Sequence, residues 1–346
     1  MTIFTPLTLP NGSVLKNRIA KASMEENLCD ANHGPSADLI RLYARWADGG
    51  AGLLLTGNVM IDGAALTGPG GVVVEDRANL PALRDWAAAG QRNGAQIWMQ
   101  INHPGRQVMA NMGQPTRAPS AVALDMGAFS RMFPVPHAMT EIEIREIITR
   151  FVTTATIAEK AGFDGVELHA AHGYLLSQFL SPLSNRRSDG WGGSLENRAR
   201  LTLDVVSAVR AAVSPGFGVG LKLNSADFQR GGFDEDDAMR VVEMLDGLGL
   251  DLIEISGGSY ESPAMRGTTQ DSRTLAREAY FQTFAARLTA QSRIPIMLTG
   301  GIHRRPVADR AIGDGIAMVG MASALAMAPD LPQKWQAGQD PKVPLP

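Results

Sequence analysis

Eight short, apolar, strand-forming segments alternate along the chain with longer segments that have helical periodicity. The apolar segments are residues 19–22, 52–56, 96–101, 165–168, 219–223, 252–256, 295–299 and 316–319. The helical segments include residues 37–47, 80–92, 142–161, 195–212, 235–248 and 277–291. Regular alternation of strand and helix is typical of a parallel sheet. An open doubly wound sheet also alternates, but the count of eight and the length of 346 residues favour an α/β fold of the (β/α)8 TIM-barrel type, as a single domain over residues 1–346.

Glycine-rich motifs of other nucleotide-binding folds do not fit this sequence. No Gly-x-Gly-x-x-Gly follows the first predicted strand. Residues 216–222, Gly-Phe-Gly-Val-Gly-Leu-Lys, have the wrong spacing for a P-loop, and no Ser or Thr follows the lysine. The sequence therefore argues against a Rossmann domain and against a P-loop.

Two further segments add to the predicted barrel. The turn Pro10-Asn11-Gly12 lies between apolar residues 7–9 and Leu15, and it predicts an N-terminal β-hairpin that covers the bottom of the barrel. The connection 102–139, between the third strand and the third helix, contains five prolines. Because long ordered excursions are usually functional, we expect this one to form a lid over the site.

The charge balance limits the partners. There are 32 Lys and Arg residues against 35 Asp and Glu, a net charge of −3, which provides no basic surface for nucleic acid or an anionic membrane. No run of about 18 apolar residues occurs, and the N-terminus lacks a basic region followed by an apolar one. These features predict a cytoplasmic protein that acts on a small organic molecule.

Cysteine usage limits the chemistry. Cys29 is the only cysteine, which excludes an internal disulfide, a cysteine-ligated iron–sulfur cluster and a multi-cysteine zinc site. No metal site is predicted.

The loop after the fourth predicted strand carries His169, His172 and Tyr174. Reactive groups of a TIM barrel gather at the carboxyl ends of its strands. Two imidazoles and a phenol can bind a carbonyl-like oxygen and supply a proton. The alternative is that these side chains only cap the sheet or satisfy buried carbonyl groups.

Glycines follow the seventh and eighth predicted strands, at Gly300, Gly301 and Gly320, with Ala322 and Ser323 close behind. Backbone N–H groups at such positions can approach a phosphate closely, which predicts a phosphate-bearing cofactor. The alternative is that the glycines only allow tight turns.

Lys222 ends the fifth predicted strand and has three interpretations. It could contact an electron-rich cofactor ring, form the Schiff base of an aldolase, or be a buried lysine paired with Asp227 or Glu254. The strand alone does not choose among them.

Four segments resemble the Old Yellow Enzyme family of flavin-dependent ene-reductases, and the resemblance covers nearly the whole chain. They are residues 16–19 (Lys-Asn-Arg-Ile), 100–106 (Gln-Ile-Asn-His-Pro-Gly-Arg), 169–182 (His-Ala-Ala-His-Gly-Tyr-Leu-Leu-Ser-Gln-Phe-Leu-Ser-Pro) and 185–200 (Asn-Arg-Arg-Ser-Asp-Gly-Trp-Gly-Gly-Ser-Leu-Glu-Asn-Arg-Ala-Arg). The last segment is the most specific.

The resemblance implies a tightly held, non-covalent FMN that is reduced by NADH or NADPH and reoxidised by an activated alkene, an α,β-unsaturated carbonyl or nitro compound. It implies that His169 and His172 donate to the substrate oxygen and that Tyr174 protonates the α carbon, with Asn27 where some relatives have a substrate-contacting tyrosine. The implied FMN contacts are Ala22, Ser23, Met24, Glu25, Gly57, Gln100, Lys222, Gly300, Gly301, Ala322 and Ser323. Many relatives are dimers or tetramers, so a homo-oligomer is compatible with the resemblance.

The chain departs from the family pattern at the cofactor. Glu25 stands where relatives usually have Thr or Cys beside the flavin. An ionised carboxylate there would disfavour an anionic reduced flavin, whereas a desolvated one would have a raised pKa and donate a hydrogen bond. Ser323 stands where an arginine often contacts the phosphate, and Arg304 is the candidate replacement cation. A flavin-free Schiff-base lyase using Lys222 and a non-catalytic flavin carrier remain as alternative functions.

Overall fold

Eight parallel strands close into a barrel in the computed structural model, which describes residues 1–262, 279 and 281–343. The strands in chain order are β1 (Leu7–Thr8), β2 (Val14–Leu15), β3 (Ile19–Lys21), β4 (Leu53–Leu55), β5 (Val59–Met60), β6 (Val72–Val73), β7 (Gln96–Asn102), β8 (Arg117–Ala118), β9 (His137–Ala138), β10 (Gly165–Ala170), β11 (Gly218–Asn224), β12 (Leu252–Ser256), β13 (Ile296–Thr299) and β14 (Met318–Met321). The barrel order is β3-β4-β7-β10-β11-β12-β13-β14, and β14 pairs with β3 to close it. The predicted (β/α)8 TIM barrel is confirmed.

Helices connect the barrel strands. They are α1 (Ala37–Asp48), α2 (Leu80–Gly90), α3 (Glu141–Ala161), α4 (Leu175–Leu180), α5 (Leu195–Ala212), α6 (Glu235–Leu245), α7 (Gln282–Thr289), α8 (Arg305–Gly313), α9 (Ser323–Met327) and α10 (Leu331–Gln336), with 3-10 helices at Arg92–Gly94, Ala110–Met112 and Gly127–Met132. The helix predicted over 235–248 ends early, since the backbone turns extended at Asp246 and left-handed at Gly247. The helix predicted over 277–291 is observed from Gln282, and residues 277, 278 and 280 lie outside the described residues.

Each barrel strand alternates between two environments. In β10, Val166 and Leu168 join the large apolar layer between the strands and the helices, while Glu167 and His169 are buried on the other face, inside the barrel. A period of two is what a pleated strand imposes. The inward positions near the carboxyl ends are therefore those that can carry polar chemistry.

The N-terminal hairpin is confirmed. Strands β1 and β2 pair antiparallel, with Leu7 opposite Leu15. Gly12 in the turn has φ 84°, a left-handed conformation that favours glycine. The hairpin leucines pack into an inner apolar cluster with residues from inside the barrel: Leu7, Leu9, Leu15, Ala20, Leu53, Leu55, Trp98, Leu252, Met297 and Met318.

Trp98 fills the barrel interior above the hairpin and is fully buried. Three glycines of the neighbouring strands provide its space, because a Cβ would lie 2.8 Å from the indole at Gly165, 2.3 Å at Gly218 and 3.0 Å at Gly220. Because these three positions have no side chains, the Trp98 indole alone fills this level of the barrel interior.

The connection 102–139 is an ordered excursion, as expected from its length. It contains the 3-10 helices at 110–112 and 127–132 and a small two-stranded parallel sheet formed by β8 and β9. Helix α3 begins directly after it with a capping box, in which Thr140 accepts from the Glu143 N–H and Glu143 accepts from the Thr140 N–H. No described helix is both long and apolar enough to span a bilayer.

Substitution of Gly218 by alanine is predicted to destabilise the fold. The new Cβ would meet the Trp98 indole at 2.3 Å, and such overpacking costs about 1–3 kcal/mol of unfolding free energy. Gly216→Ala is the matched control, because no heavy atom lies within 4 Å of a Cβ there. Urea unfolding of both variants measures the difference, and equal stabilities would refute this account of the barrel interior.

Candidate active site

The loop that joins β10 to α4 brings His169, His172 and Tyr174 together. The His169 ring centroid lies 5.1 Å from that of His172 and 4.9 Å from that of Tyr174, both edge to face. His172 has a left-handed backbone with φ 59°, and Gly173 follows with φ 73°. Such a conformation in a bulky residue is uncommon and occurs often at functional sites. The cluster predicted from sequence is therefore assembled on one side of the barrel mouth.

Side chains from other elements hold this loop. The His172 N–H donates to Asn224 Oδ1 at 3.1 Å, which ties the loop to the end of β11. Gln178 donates through Nε2 to the carbonyl oxygens of Gly173, at 2.7 Å, and Pro104, at 3.0 Å. The buried side-chain amide of Gln178 thus links this loop to the start of the 102–139 connection.

Both imidazoles are neutral. Burial, and then the positive charge of Lys222, lower the pKa of His172 well below 6.5, and the same effects together with its neighbour lower the pKa of His169. His169 Nδ1 accepts from the Ala171 N–H at 3.2 Å, which leaves the proton on Nε2. His172 Nε2 lies 2.8 Å from Ser256 Oγ, so Nδ1 is its nitrogen without a partner among the described residues.

Tyr174 is a protonated phenol with two polar neighbours. Its hydroxyl accepts from Asn58 Nδ2 at 3.2 Å and lies 3.2 Å from the hydroxyl of Tyr260. Burial raises the pKa of Tyr174 well above 10, and the nearby Tyr260 and Glu25 add to the shift. The group keeps its proton at neutral pH and can give it to a stronger base.

Tyr260 and Ser256 were not assigned a role from the sequence. Both lie at or just after β12. A single tyrosine four residues beyond a strand carries no sequence signal, because its partner Tyr174 is 86 residues away. Asn58, which follows β4, is likewise identified only by its contact with Tyr174.

Glu25 lies near both phenols. It accepts a short hydrogen bond from Thr67 Oγ1. Its side chain is exposed overall, but partial desolvation of the carboxyl group raises its pKa, and its charge raises the pKa of both Tyr174 and Tyr260. The raised pKa agrees with the desolvated carboxyl group anticipated from sequence, but Glu25 accepts the hydrogen bond from Thr67 rather than donating it.

Asn27 is apart from this group. Its backbone has φ 56° and packs against Gly70, where a Cβ would lie 2.7 Å from the Asn27 carbonyl oxygen. No contact joins Asn27 to His169, His172 or Tyr174 in the part of the chain that the structure describes. Its substrate-binding role stays a prediction.

A polar layer lies inside the barrel beneath the mouth. Lys222 Nζ donates to Glu254 Oε1 at 2.7 Å, and Gln100 Nε2 donates to Glu167 Oε2 at 2.6 Å. Burial and the Glu254 charge raise the pKa of Glu167 well above 4.5. Burial opposes ionisation of Glu254 too, but Lys222 and hydrogen bonds outweigh it and lower its pKa. The layer therefore combines an ion pair with a carboxyl group whose pKa is raised by burial.

The residues that follow β3, the first strand of the barrel, face this layer. We refer to residues 22–26 as the first strand end. Ser23 Oγ donates to Gln100 Oε1 at 2.7 Å, and the Ala22 N–H donates to the Met321 carbonyl at 3.0 Å. The Met24 carbonyl oxygen lies so close to Gly57 that a Cβ there would be 2.2 Å away. These contacts place residues 22–24 beside Gly57 and next to Gln100.

The ends of β13 and β14 have the features of a phosphate cradle. Gly300 and Gly301 have φ 118° and 70°, and their N–H groups, with that of Ala322, have no acceptor among the described residues. Gly320 is also crowded, since a Cβ would lie 2.2 Å from Thr299 Oγ1, which is buried and has no hydrogen-bond partner within the described ranges. Free N–H groups and unsatisfied buried atoms fit a bound phosphate-bearing ring cofactor such as FMN.

The lid is tied to the loop that carries Tyr260. Arg106 Nη2 lies 2.5 Å from Glu261 Oε2, with both side chains more than 90% buried, and Glu261 Oε1 accepts from the Asp125 N–H at 2.7 Å. Phe133 packs edge to face on Tyr260 at 6.1 Å. The excursion 102–139 thus contacts Tyr260 and Glu261 in the loop after β12. No cluster of metal ligands occurs among the described residues.

Residues 2–341 match the family model described as NADH:flavin oxidoreductase / NADH oxidase. The NADH-dependent flavin oxidoreductase iliE of Hypocrea jecorina is 38% identical, over 95% of this chain and 87% of that protein. The protein of the same name from Neonectria sp. is 37% identical over 95% of this chain, which spans only 46% of its length.

Two solved structures are similar in fold. The Old Yellow Enzyme homologue from Zymomonas mobilis has a TM-score of 0.84 at 25% identity and covers 100% of this chain and 94% of its own. A 2-naphthoyl-CoA reductase complex has a TM-score of 0.90 at 27% identity, over 98% of this chain and 52% of its own.

We predict that His169 and His172 remain neutral between about pH 6 and 8, although free imidazole titrates there. Burial lowers the pKa values of both rings, so each ring stays neutral to a lower pH than free imidazole does. Nitrogen-15 NMR of histidine-labelled protein measures this, with His169→Asn and His172→Asn to assign the signals. Titration of either ring near pH 6.5 would contradict the neutral pair.

Proposed function

Because the chain belongs to the NADH:flavin oxidoreductase / NADH oxidase family, an FMN-binding family of oxidoreductases, we propose that it reduces the activated C=C bond of α,β-unsaturated carbonyl or nitro compounds. The reductant is NADH or NADPH, and the names of the relatives favour NADH. One observation carries the proposal: two neutral imidazoles and a protonated phenol converge on one side of the barrel mouth.

FMN, when bound, supplies hydride transfer between the nicotinamide and the substrate. The residues that would hold it are those of the first strand end, the polar layer and the glycine cradle. Gly57 would contribute through atoms other than its N–H, which donates to Tyr43. Lys222 would act from within its ion pair with Glu254.

The histidines orient and polarise the substrate. His169 carries its proton on Nε2, and a neutral N–H donor stabilises the negative charge that develops on a carbonyl or nitro oxygen as the β carbon is reduced. Ser256 fixes the second ring through its hydrogen bond to His172 Nε2. Because neither ring is charged, the pair binds the oxygen without first protonating it.

Tyr174 supplies the proton in this proposal. Asn58 donates to its hydroxyl oxygen, which fixes the phenol while leaving its proton transferable. The α carbon becomes carbanion-like once the oxygen is stabilised, and it is a stronger base than a phenolate. Tyr174 is itself buried, and Phe133 of the 102–139 connection packs on its neighbour Tyr260.

Tyr174→Phe is predicted to separate the two half-reactions. Reoxidation of the reduced enzyme by 2-cyclohexenone should slow by about 100-fold or more, since general acid catalysis contributes about 10²–10⁴-fold. Reduction by NADH should stay nearly unchanged, because it needs no such proton. Stopped-flow absorbance under anaerobic conditions measures both rates.

Tyr260→Phe is the matched control for that experiment, since it removes the other hydroxyl of the same 3.2 Å contact. Its reoxidation rate should fall less than that of Tyr174→Phe. A larger loss in Tyr260→Phe would assign proton donation to Tyr260 instead, and equal loss of both half-reactions in Tyr174→Phe would refute the division of roles.

The alternatives are tested by separate measurements. A Schiff-base lyase requires Lys222 as a nucleophile, yet its Nζ is engaged with Glu254 at 2.7 Å. Borohydride reduction in the presence of a carbonyl substrate should therefore leave the protein mass unchanged, and an adduct on Lys222 would support the lyase. A flavin carrier would be reduced by NADH but not reoxidised by any enone, maleimide or nitro compound.

A further inference from the structure

Lys21 is a fully buried lysine that the proposed reaction does not use. It lies on β3 next to the inward-facing Ala20, so its side chain leaves the barrel toward α1. Its ammonium group donates to Glu26 Oε1 at 2.9 Å, to the Tyr43 hydroxyl at 2.9 Å and to the Leu55 carbonyl at 2.8 Å. All three of its N–H donors are therefore satisfied.

Tyr43 connects this buried charge to the barrel mouth. Its hydroxyl donates to Glu26 Oε1 at 2.5 Å and accepts from the Gly57 N–H at 3.0 Å. Gly57 is also wedged against the first strand end, since a Cβ would lie 2.2 Å from Glu26 Oε2 and 2.2 Å from the Met24 carbonyl oxygen. The position of Gly57 is thus set by contacts on both sides.

Asn58 carries the connection to the phenol. It follows Gly57 directly, and its Nδ2 donates to the Tyr174 hydroxyl at 3.2 Å. Glu25, whose charge acts on Tyr174, precedes Glu26 in the chain. The residue that donates to Tyr174 from this side is therefore next in sequence to Gly57, whose N–H is bound by Tyr43.

We propose that Lys21, Glu26 and Tyr43 form a positioning cluster that holds Asn58 in hydrogen-bond contact with the Tyr174 phenol. These residues do not touch the reacting atoms, and they act through the backbone of Gly57 and of the first strand end. The inference rests on the proposed function in taking Tyr174 as the proton donor.

A buried ion pair is a poor stabilising device, since replacing one with apolar residues is often neutral for stability. Its effect here is geometric. The ammonium group bonds to the loop after β3, to α1 and to β4 at once, and the rings of Tyr43 and Trp46 lie 4.8 and 4.5 Å from Nζ. An apolar side chain would fill this space without fixing the relative positions of the three elements.

Tyr43→Phe tests the proposal with the smallest change, because it removes one hydroxyl and leaves the ring. Reoxidation of the reduced holoenzyme by 2-cyclohexenone should slow about 10-fold, while reduction by NADH stays close to wild type. A displacement of about 1 Å in a reacting group can cost about 100-fold, so a smaller shift of Asn58 accounts for this size of effect.

A second readout is independent of activity. In holoenzyme labelled with carbon-13 at tyrosine Cζ, the Tyr174 signal, assigned with Tyr174→Phe, should shift in Tyr43→Phe and titrate at a different pH. If wild-type enzyme is not reoxidised by any alkene, the proposed function fails, and this signal still decides whether the cluster positions Tyr174.

Arg210→Met is the matched control for loss of a partly buried ion pair. Arg210 Nη1 lies 3.5 Å from Asp251 Oδ2, at the start of β12 and therefore at the opposite end of the barrel. The Arg210→Met substitution should lower thermal stability without changing the ratio of the two half-reaction rates or the Tyr174 signal. Lys21→Met, which leaves Glu26 without its cation, should reproduce the Tyr43→Phe effects if it folds. A Tyr43→Phe enzyme with lower stability but an unchanged half-reaction ratio and Tyr174 signal would overturn the proposal.

Discussion

Closure of the barrel between β14 and β3 is the constraint on which the site depends. Met321 pairs with Lys21 across this seam, and the Met321 carbonyl accepts from the Ala22 N–H. The seam brings the first strand end beside the residues that follow β14, although about 300 positions separate them in sequence. Without it, the glycine cradle and the segment 22–25 would not share one cofactor-sized surface.

The site depends next on how buried charges are neutralised. Inside the barrel, Lys222 is paired with Glu254, and burial raises the pKa of the neighbouring Glu167, which favours its uncharged form. Outside the barrel wall, Lys21 is paired with Glu26. Because each ammonium has a carboxylate partner, two lysines remain below the mouth without an unpaired buried charge, which would be costly. The imidazoles and phenols at the barrel mouth are uncharged at neutral pH, since burial lowers the pKa values of the histidines and raises those of the tyrosines.

Much of the fold was predictable, because strand alternation and helical periodicity act locally. The helix over 195–212 and the strand over 252–256 have the predicted bounds. The last barrel strand begins two residues later than predicted, at Met318, since hydrophobicity does not show where ladder hydrogen bonds begin. The site was predictable where its residues are close in sequence, as on the loop from His169 to Tyr174. Tyr260, Ser256 and Asn58 could not be given roles, because they contact that loop from the ends of other strands, β12 for Tyr260 and Ser256 and β4 for Asn58.

The sequence by itself determined the fold class, the location of the polar residues at the strand ends and the family to which the chain belongs. It also left Lys222 with three interpretations. Only the tertiary structure decided that Lys222 pairs with Glu254, that Glu25 bonds to Thr67 and lies near two phenols, and that Gly57 donates to Tyr43. The physical reason is that periodicity reports which face of an element a residue occupies. The partner across that face depends on how distant elements pack.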